Sequence, residues 1–97
     1  MNIIYKYELP IGDTHLELPI EANVLSVQEQ NGKVCMWVQH DTSYVKETRK
    51  FVVFATGQKL PSDLFILSRL AFLDTVQLMN GALVFHVYEV MGENKNV

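Results

Sequence analysis

The chain has one cysteine, one tryptophan and three prolines in 97 residues, and each scarcity removes a class of protein. Cys35 alone cannot close an internal disulfide or supply a multi-cysteine zinc site, so the fold must rest on burial and a reducing compartment is expected. No apolar run approaches the ~20 residues that a membrane-spanning helix needs. The N-terminal MNIIYKYELP carries Lys6 and no long apolar stretch, so neither a signal peptide nor a membrane span is expected, and the location is read as cytoplasmic. Positive charge is short as well: eight Lys and Arg against eleven Asp and Glu give a net charge of −3 and a pI near 5.5. Without a positive field, binding to extended nucleic acid is disfavoured. The one local exception, KETRK at 46–50, contains Glu47 and reads as a solvated loop entering a strand.

Nearly half the residues are apolar and a fifth are charged, the balance of a folded globular chain. The length allows one core, so residues 1–90 are read as a single β domain, with the polar stretch 91–97 as a disordered tail. Ile3, Tyr5, Tyr7 and Leu9 alternate with Ile4, Lys6 and Glu8 until Pro10, and Leu16 and Leu18 alternate with His15 and Glu17 until Pro19. Both are half-buried strands by their two-residue period. Residues 49–56, RKFVVFAT, are apolar on both faces and read as a strand inside a sheet.

The strongest local signal occurs twice. Asn31-Gly32 and Asn80-Gly81 each stand between apolar alternations, and a two-residue type I′ turn needs positive φ at both central positions. The turns fix register: Leu25 then faces Val38 and Val27 faces Met36 on one side of the first hairpin, while Ser26 faces Trp37 and Val24 faces Gln39 on the other. In the second hairpin Val76 faces Phe85 and Leu78 faces Leu83, and the other side pairs Thr75 with His86 and Leu73 with Tyr88. Between the hairpins, Leu64, Leu67 and Leu70 recur at helical spacing behind Ser62, a candidate N-cap. A short helical segment near 62–71 is predicted, with a buried strand as the alternative. The whole reads as a mainly β protein, a small antiparallel sandwich or barrel of about six or seven strands, the two hairpins closing the core on their apolar sides.

Trp37, His86 and Tyr88 fall on the less apolar hairpin faces, which suits either a small planar ligand or a covering layer such as a second subunit. Thr56, Gly57, Gln58 and Lys59 bring a hydroxyl, an open backbone amide, a side-chain amide and a cation, enough to hold a phosphate or ribose edge, though the same residues make an ordinary turn. There is no Walker motif and no G-x-G-x-x-G. His15, His40 and His86 show no metal-ligand spacing, so no metal and no cofactor is expected. The serines lack any nucleophile-elbow context and the carboxylates are scattered, so the reading leans away from an enzyme.

Taken together, IIYKYELP, HLELPIEANVLSVQEQNGKVCMWVQHD, FATGQKLP and TVQLMNGALVFHVYEV resemble a family of small proteins from tailed phages and prophages to which no activity is assigned. The resemblance spans nearly the whole chain and departs from it at Pro61 to Leu73, where LFILSRLAFL replaces a variable loop. It implies a phage setting and, for an accessory protein of this size, a role against host defence in the host cytoplasm. The expected function is then a non-enzymatic homo-oligomer that sequesters a nucleotide-derived immune signal, such as a cyclic nucleotide or an ADP-ribose derivative. Trp37 and Tyr88 would stack, His86 and Gln39 would make polar contacts, and Thr56, Gln58, Lys59 and Arg69 would take phosphate or ribose. The alternatives are a module that binds a host or virion protein and, third, a phosphodiesterase.

Overall fold

Seven strands form two antiparallel sheets in a computed structural model that describes residues 1–92. The strands are β1 (Asn2–Leu9), β2 (Gly12–Pro19), β3 (Asn23–Gln30), β4 (Lys33–Asp41), β5 (Lys46–Ala55), β6 (Leu70–Leu78) and β7 (Leu83–Val90). One helical turn, α1 (Leu64–Leu67), precedes β6. The first sheet runs β1-β4-β3 and the second β2-β5-β7-β6, so the fold is a sandwich of open sheets and not a closed barrel. KETRK at 46–50 is already part of β5 and not a loop. Residues 93–97, most of the expected tail, lie outside the described residues; at Met91 the backbone N–H donates to the Arg69 carbonyl at 2.7 Å.

Strand alternation becomes burial directly. On β4, Val34, Met36 and Val38 are buried toward the second sheet, where they meet Leu18, Phe51, Val53, Val76, Phe85 and Val87. Burying a large apolar side chain stabilises by about 1.5–3 kcal/mol, and these facing rows are the main source of stability. The strand predicted over 49–56 is indeed internal, flanked by β2 and β7. At one end of the core the Arg49 guanidinium grips the Glu89 carboxylate through Nε and Nη2, at 2.7 and 2.8 Å, and Nη1 donates to the Ala22 carbonyl.

Both hairpins keep the predicted register next to their turns: Ser26 opposes Trp37, Val27 opposes Met36, Thr75 opposes His86 and Val76 opposes Phe85. Further out each loses one residue to a β-bulge. Leu25 is skipped, so Val24 rather than Leu25 faces Val38, and Leu73 is skipped, so Phe72 rather than Leu73 faces Tyr88. The first turn has positive φ at Asn31 and Gly32, 54° and 78°, as a type I′ turn requires. The second is longer, with Met79, Asn80 and Gly81 all at positive φ between the last pair, Leu78 and Leu83. Replacing Gly32 with Val puts a β-branched residue at φ +78°, and the urea midpoint should fall by the equivalent of about 1–3 kcal/mol, whereas Asn31→Gly should be nearly neutral.

β5 and β6 both pair antiparallel with β7, so they run parallel, and the chain between them must travel back the length of the sheet. Residues 56–69 make that return, beginning with Thr56 to Leu60 beside Phe54, His86 and Tyr88 on the sheet's outer face. Val52 and Phe54, whose neighbours Phe51 and Val53 lie in the core, point away from it and are still only 5% and 8% exposed, Phe54 beside Thr56, Gly57, Gln58 and Leu60. α1 lies late in this crossover; its N-cap is Asp63, whose Oδ1 accepts from the Phe65 N–H at 2.9 Å, and not Ser62. The helix stops at Leu67 because Leu70 already pairs with Val90 in the sheet, so the segment predicted as helix through 71 divides into a turn of helix and a strand. Leu64, Phe65 and Ile66 are left exposed.

Candidate functional site

The crossover and the outer face of β7 enclose a cleft of about 250 Å³ lined by Phe54, Thr56, Gly57, Gln58, Leu60, His86 and Tyr88. β7 supplies His86 and Tyr88 on one face because they are two residues apart, and the turn after β5 brings Thr56 and Gln58 over them. The Thr56 N–H donates to the Val84 carbonyl, extending the sheet by one bond, and Gln58 folds back so that its N–H and its Oε1 bond Ala55, each at 3.0 Å. The side-chain NH2 of Gln58 is then the group able to reach a ligand.

His86 is held between two hydroxyls. Thr56 Oγ1 is 2.6 Å from Nε2 and Thr75 Oγ1 is 3.0 Å from Nδ1, so a neutral ring donates to one threonine and accepts from the other. The hydroxyl beside an imidazole has the spacing of a nucleophile and its base. The third member, however, is a neutral threonine, where an acyl-transfer triad has a carboxylate to stabilise the imidazolium. The arrangement therefore fits a fixed hydrogen-bonding edge better than a hydrolytic one. Alongside it, Tyr88 sits between two rings, edge-on to Phe54 at 5.8 Å and to Phe72 at 5.5 Å, and Phe72 is 56% exposed.

Of the residues expected to act together, Thr56, Gln58, His86 and Tyr88 do meet in this cleft. Lys59 follows on the exposed crossover without lining it, and the Arg69 guanidinium lies 4.3 Å over the Phe65 ring at the far end of the crossover. Trp37 and Gln39 belong to β4 in the other sheet, and they do not join the site. Two larger hollows, of about 350 and 490 Å³, lie around the hairpin turns, but their linings contain no histidine, tyrosine or hydroxyl. Among the described residues no group of His, Cys, Asp or Glu is placed to hold a metal ion, and no helix is long and apolar enough to cross a membrane.

The sequence profile of a domain of unknown function, DUF7352, matches residues 1–96. The chain belongs to the DUF7352 family. Neither curated proteins nor solved structures give a match. The cleft in this DUF7352 chain also uses Phe54 and Leu60, which the sequence did not single out as site residues. Phe54 is hidden in a run that is apolar on both faces, and Leu60 becomes a wall only through the path of the crossover. Thr75 was legible, because the hairpin register sets it opposite His86. The lining contains no Asp, Glu, Lys or Arg, and Lys59 stands next to Gln58 outside it.

Proposed function

We propose that this protein binds a small nucleotide-derived molecule without turning it over and, in a phage-encoded setting, withdraws a host immune signal in this way. The observation that carries the reading is the convergence of Thr56, Gln58, His86 and Tyr88 on one uncharged cleft with an aromatic wall. Tyr88 offers a face to a base, Gln58 and the threonine-flanked His86 offer donors and acceptors to its edge, and Lys59 lies one residue along for phosphate. At about 250 Å³ the cleft is below the ~300–1,000 Å³ of pockets that enclose a whole drug-sized ligand. It takes one ring system. A cyclic dinucleotide or an ADP-ribose derivative has a second part to place, which a second copy of the chain would receive.

The test is thermal unfolding against cyclic di- and trinucleotides and ADP-ribose derivatives, followed by chromatography of the recovered ligand. A ligand that raises the midpoint and returns intact supports binding without turnover. Tyr88→Ala should then weaken it roughly 5- to 150-fold, the equivalent of the ~1–3 kcal/mol of one stacked base. A cleaved ligand would move the protein to the phosphodiesterase class, and no shift with any nucleotide would defeat the reading. The exposed Leu64, Phe65 and Ile66 on α1 favour the second reading, a module that binds another protein, since contiguous apolar surface of this kind marks interaction sites.

A further inference from the structure

The two sheets are not closed equally along their margins. β3 and β6 pack together on one side, whereas β1 and β2, the outer strands on the other, are joined through Pro10 and Ile11 and do not pair. At this open margin lies a cleft of about 200 Å³ lined by Tyr5, Tyr7, Glu17, His40, Thr42 and Lys46, with Pro19. None of these residues belongs to the cleft under the crossover.

The lining is unusually rich in function for its size. Tyr5 stands edge-on to Tyr7 at 6.3 Å and at 90° to the His40 ring at 5.3 Å, so the three rings form a corner. Aromatic corners attract organic ammonium groups through the negative faces of their rings. Glu17, which accepts a hydrogen bond from the Thr48 hydroxyl through one carboxylate oxygen, supplies an anion beside them. Lys46 supplies a cation in the same lining. A bare organic cation would meet Lys46 and a bare anion would meet Glu17; only a molecule carrying both charges finds a complement for each. His40 forms the inner wall of the corner: it is 4% exposed and its Nε2 is 3.3 Å from the Tyr7 hydroxyl, which fixes the two rings against each other. Burial and the neighbouring Tyr5 also push the Tyr7 phenol up, so it remains a donor through neutral pH.

We propose that this open-margin cleft is a second binding site, for a small amino-acid-like zwitterion whose ammonium sits against Tyr5, Tyr7 and Glu17 and whose carboxylate reaches Lys46. The cleft's volume admits a single such molecule, and its lining contains no basic residue besides Lys46 and His40.

The test is side-chain NMR of the tyrosine and histidine rings of the full chain, titrated with L-leucine, tetramethylammonium, acetate and glucose. L-leucine should give saturable shifts at Tyr5, Tyr7 and His40. Tyr5→Ala and Lys46→Met, both at exposed positions and so compatible with folding, should each weaken it about tenfold with the rest of the spectrum unchanged. Tyr88→Ala should leave it as it is. Rings that L-leucine does not move, an equal response to tetramethylammonium or acetate alone, a response to glucose in its place, or unchanged binding in the two variants would each overturn the proposal.

Discussion

Glu89→Ala is expected to destabilise the fold by about 3–5 kcal/mol, as removing one partner of a buried ion pair does. The two side chains are 17% and 10% exposed, and the contact is bidentate, the geometry in which guanidinium and carboxylate bind best. What makes the loss large is the group left behind. The hydrogen bonds that Arg49 donates to Glu89 raise its pKa further, and that support goes with the carboxylate, but a guanidinium stays protonated at any accessible pH, so Arg49 keeps its charge in the variant. Its remaining named partner is the Ala22 carbonyl in the turn from β2 to β3. The matched double variant Arg49→Met, Glu89→Leu should recover most of the stability, because it removes both charges and fills the space. Urea unfolding of the three variants decides the matter: a Glu89→Ala loss below 1 kcal/mol would mean that water reaches the pair and that it is no more than a surface contact.

Near the turns the hairpins were readable to the residue, because Asn-Gly leaves the chain few alternatives and the period of two does the rest. The reading failed at Leu25 and Leu73. Alternation points Leu25 inward and sets Leu73 on the outer face with Tyr88; each is instead the extra residue of a bulge, which leaves Leu25 exposed and turns Leu73 against the core. These bulges lie on β3 and β6, the strands along which the sheets converge, where added twist lets two sheet edges approach. That demand comes from the partner sheet and leaves no mark in local sequence.

The candidate site was legible in pieces. His86 and Tyr88 followed from register and Thr56 and Gln58 from loop chemistry, but their meeting depends on a crossover that passes over the outer face, and a loop path has no period to read. Trp37 and Gln39 were separable from the sequence itself. If the two hairpins close a core on their apolar faces, their other faces must point in opposite directions, so Trp37 and Tyr88 cannot share a ligand within one copy.

Phe51→Ala is expected to remove about 3–5 kcal/mol, the usual range for emptying a buried phenylalanine site. Against a whole stability of the order of 5–15 kcal/mol for a domain, that is a third or more of the total in most of the range, and at its lower end it leaves an appreciable unfolded fraction. Phe51 is fully buried in the middle of β5, between Thr14 on β2 and Glu89 on β7, and its ring lies 5.9 Å from the Arg49 guanidinium carbon. The ring therefore fills the core and also walls the ion pair from solvent. Combined with Glu89→Ala, the loss should be less than additive, because a cavity that admits water relieves the stranded arginine. Phe54→Ala provides the contrast. Three residues along the same strand, Phe54 faces outward beneath the crossover, so its removal opens the cleft beside Tyr88 and leaves the inter-sheet core filled. Denaturation curves and ligand titrations on the two variants should separate accordingly, with Phe51→Ala losing stability first and Phe54→Ala losing affinity first. Equal behaviour in both measurements would mean that the outer face and the core are one cooperative unit, and that the cleft cannot be altered without the fold.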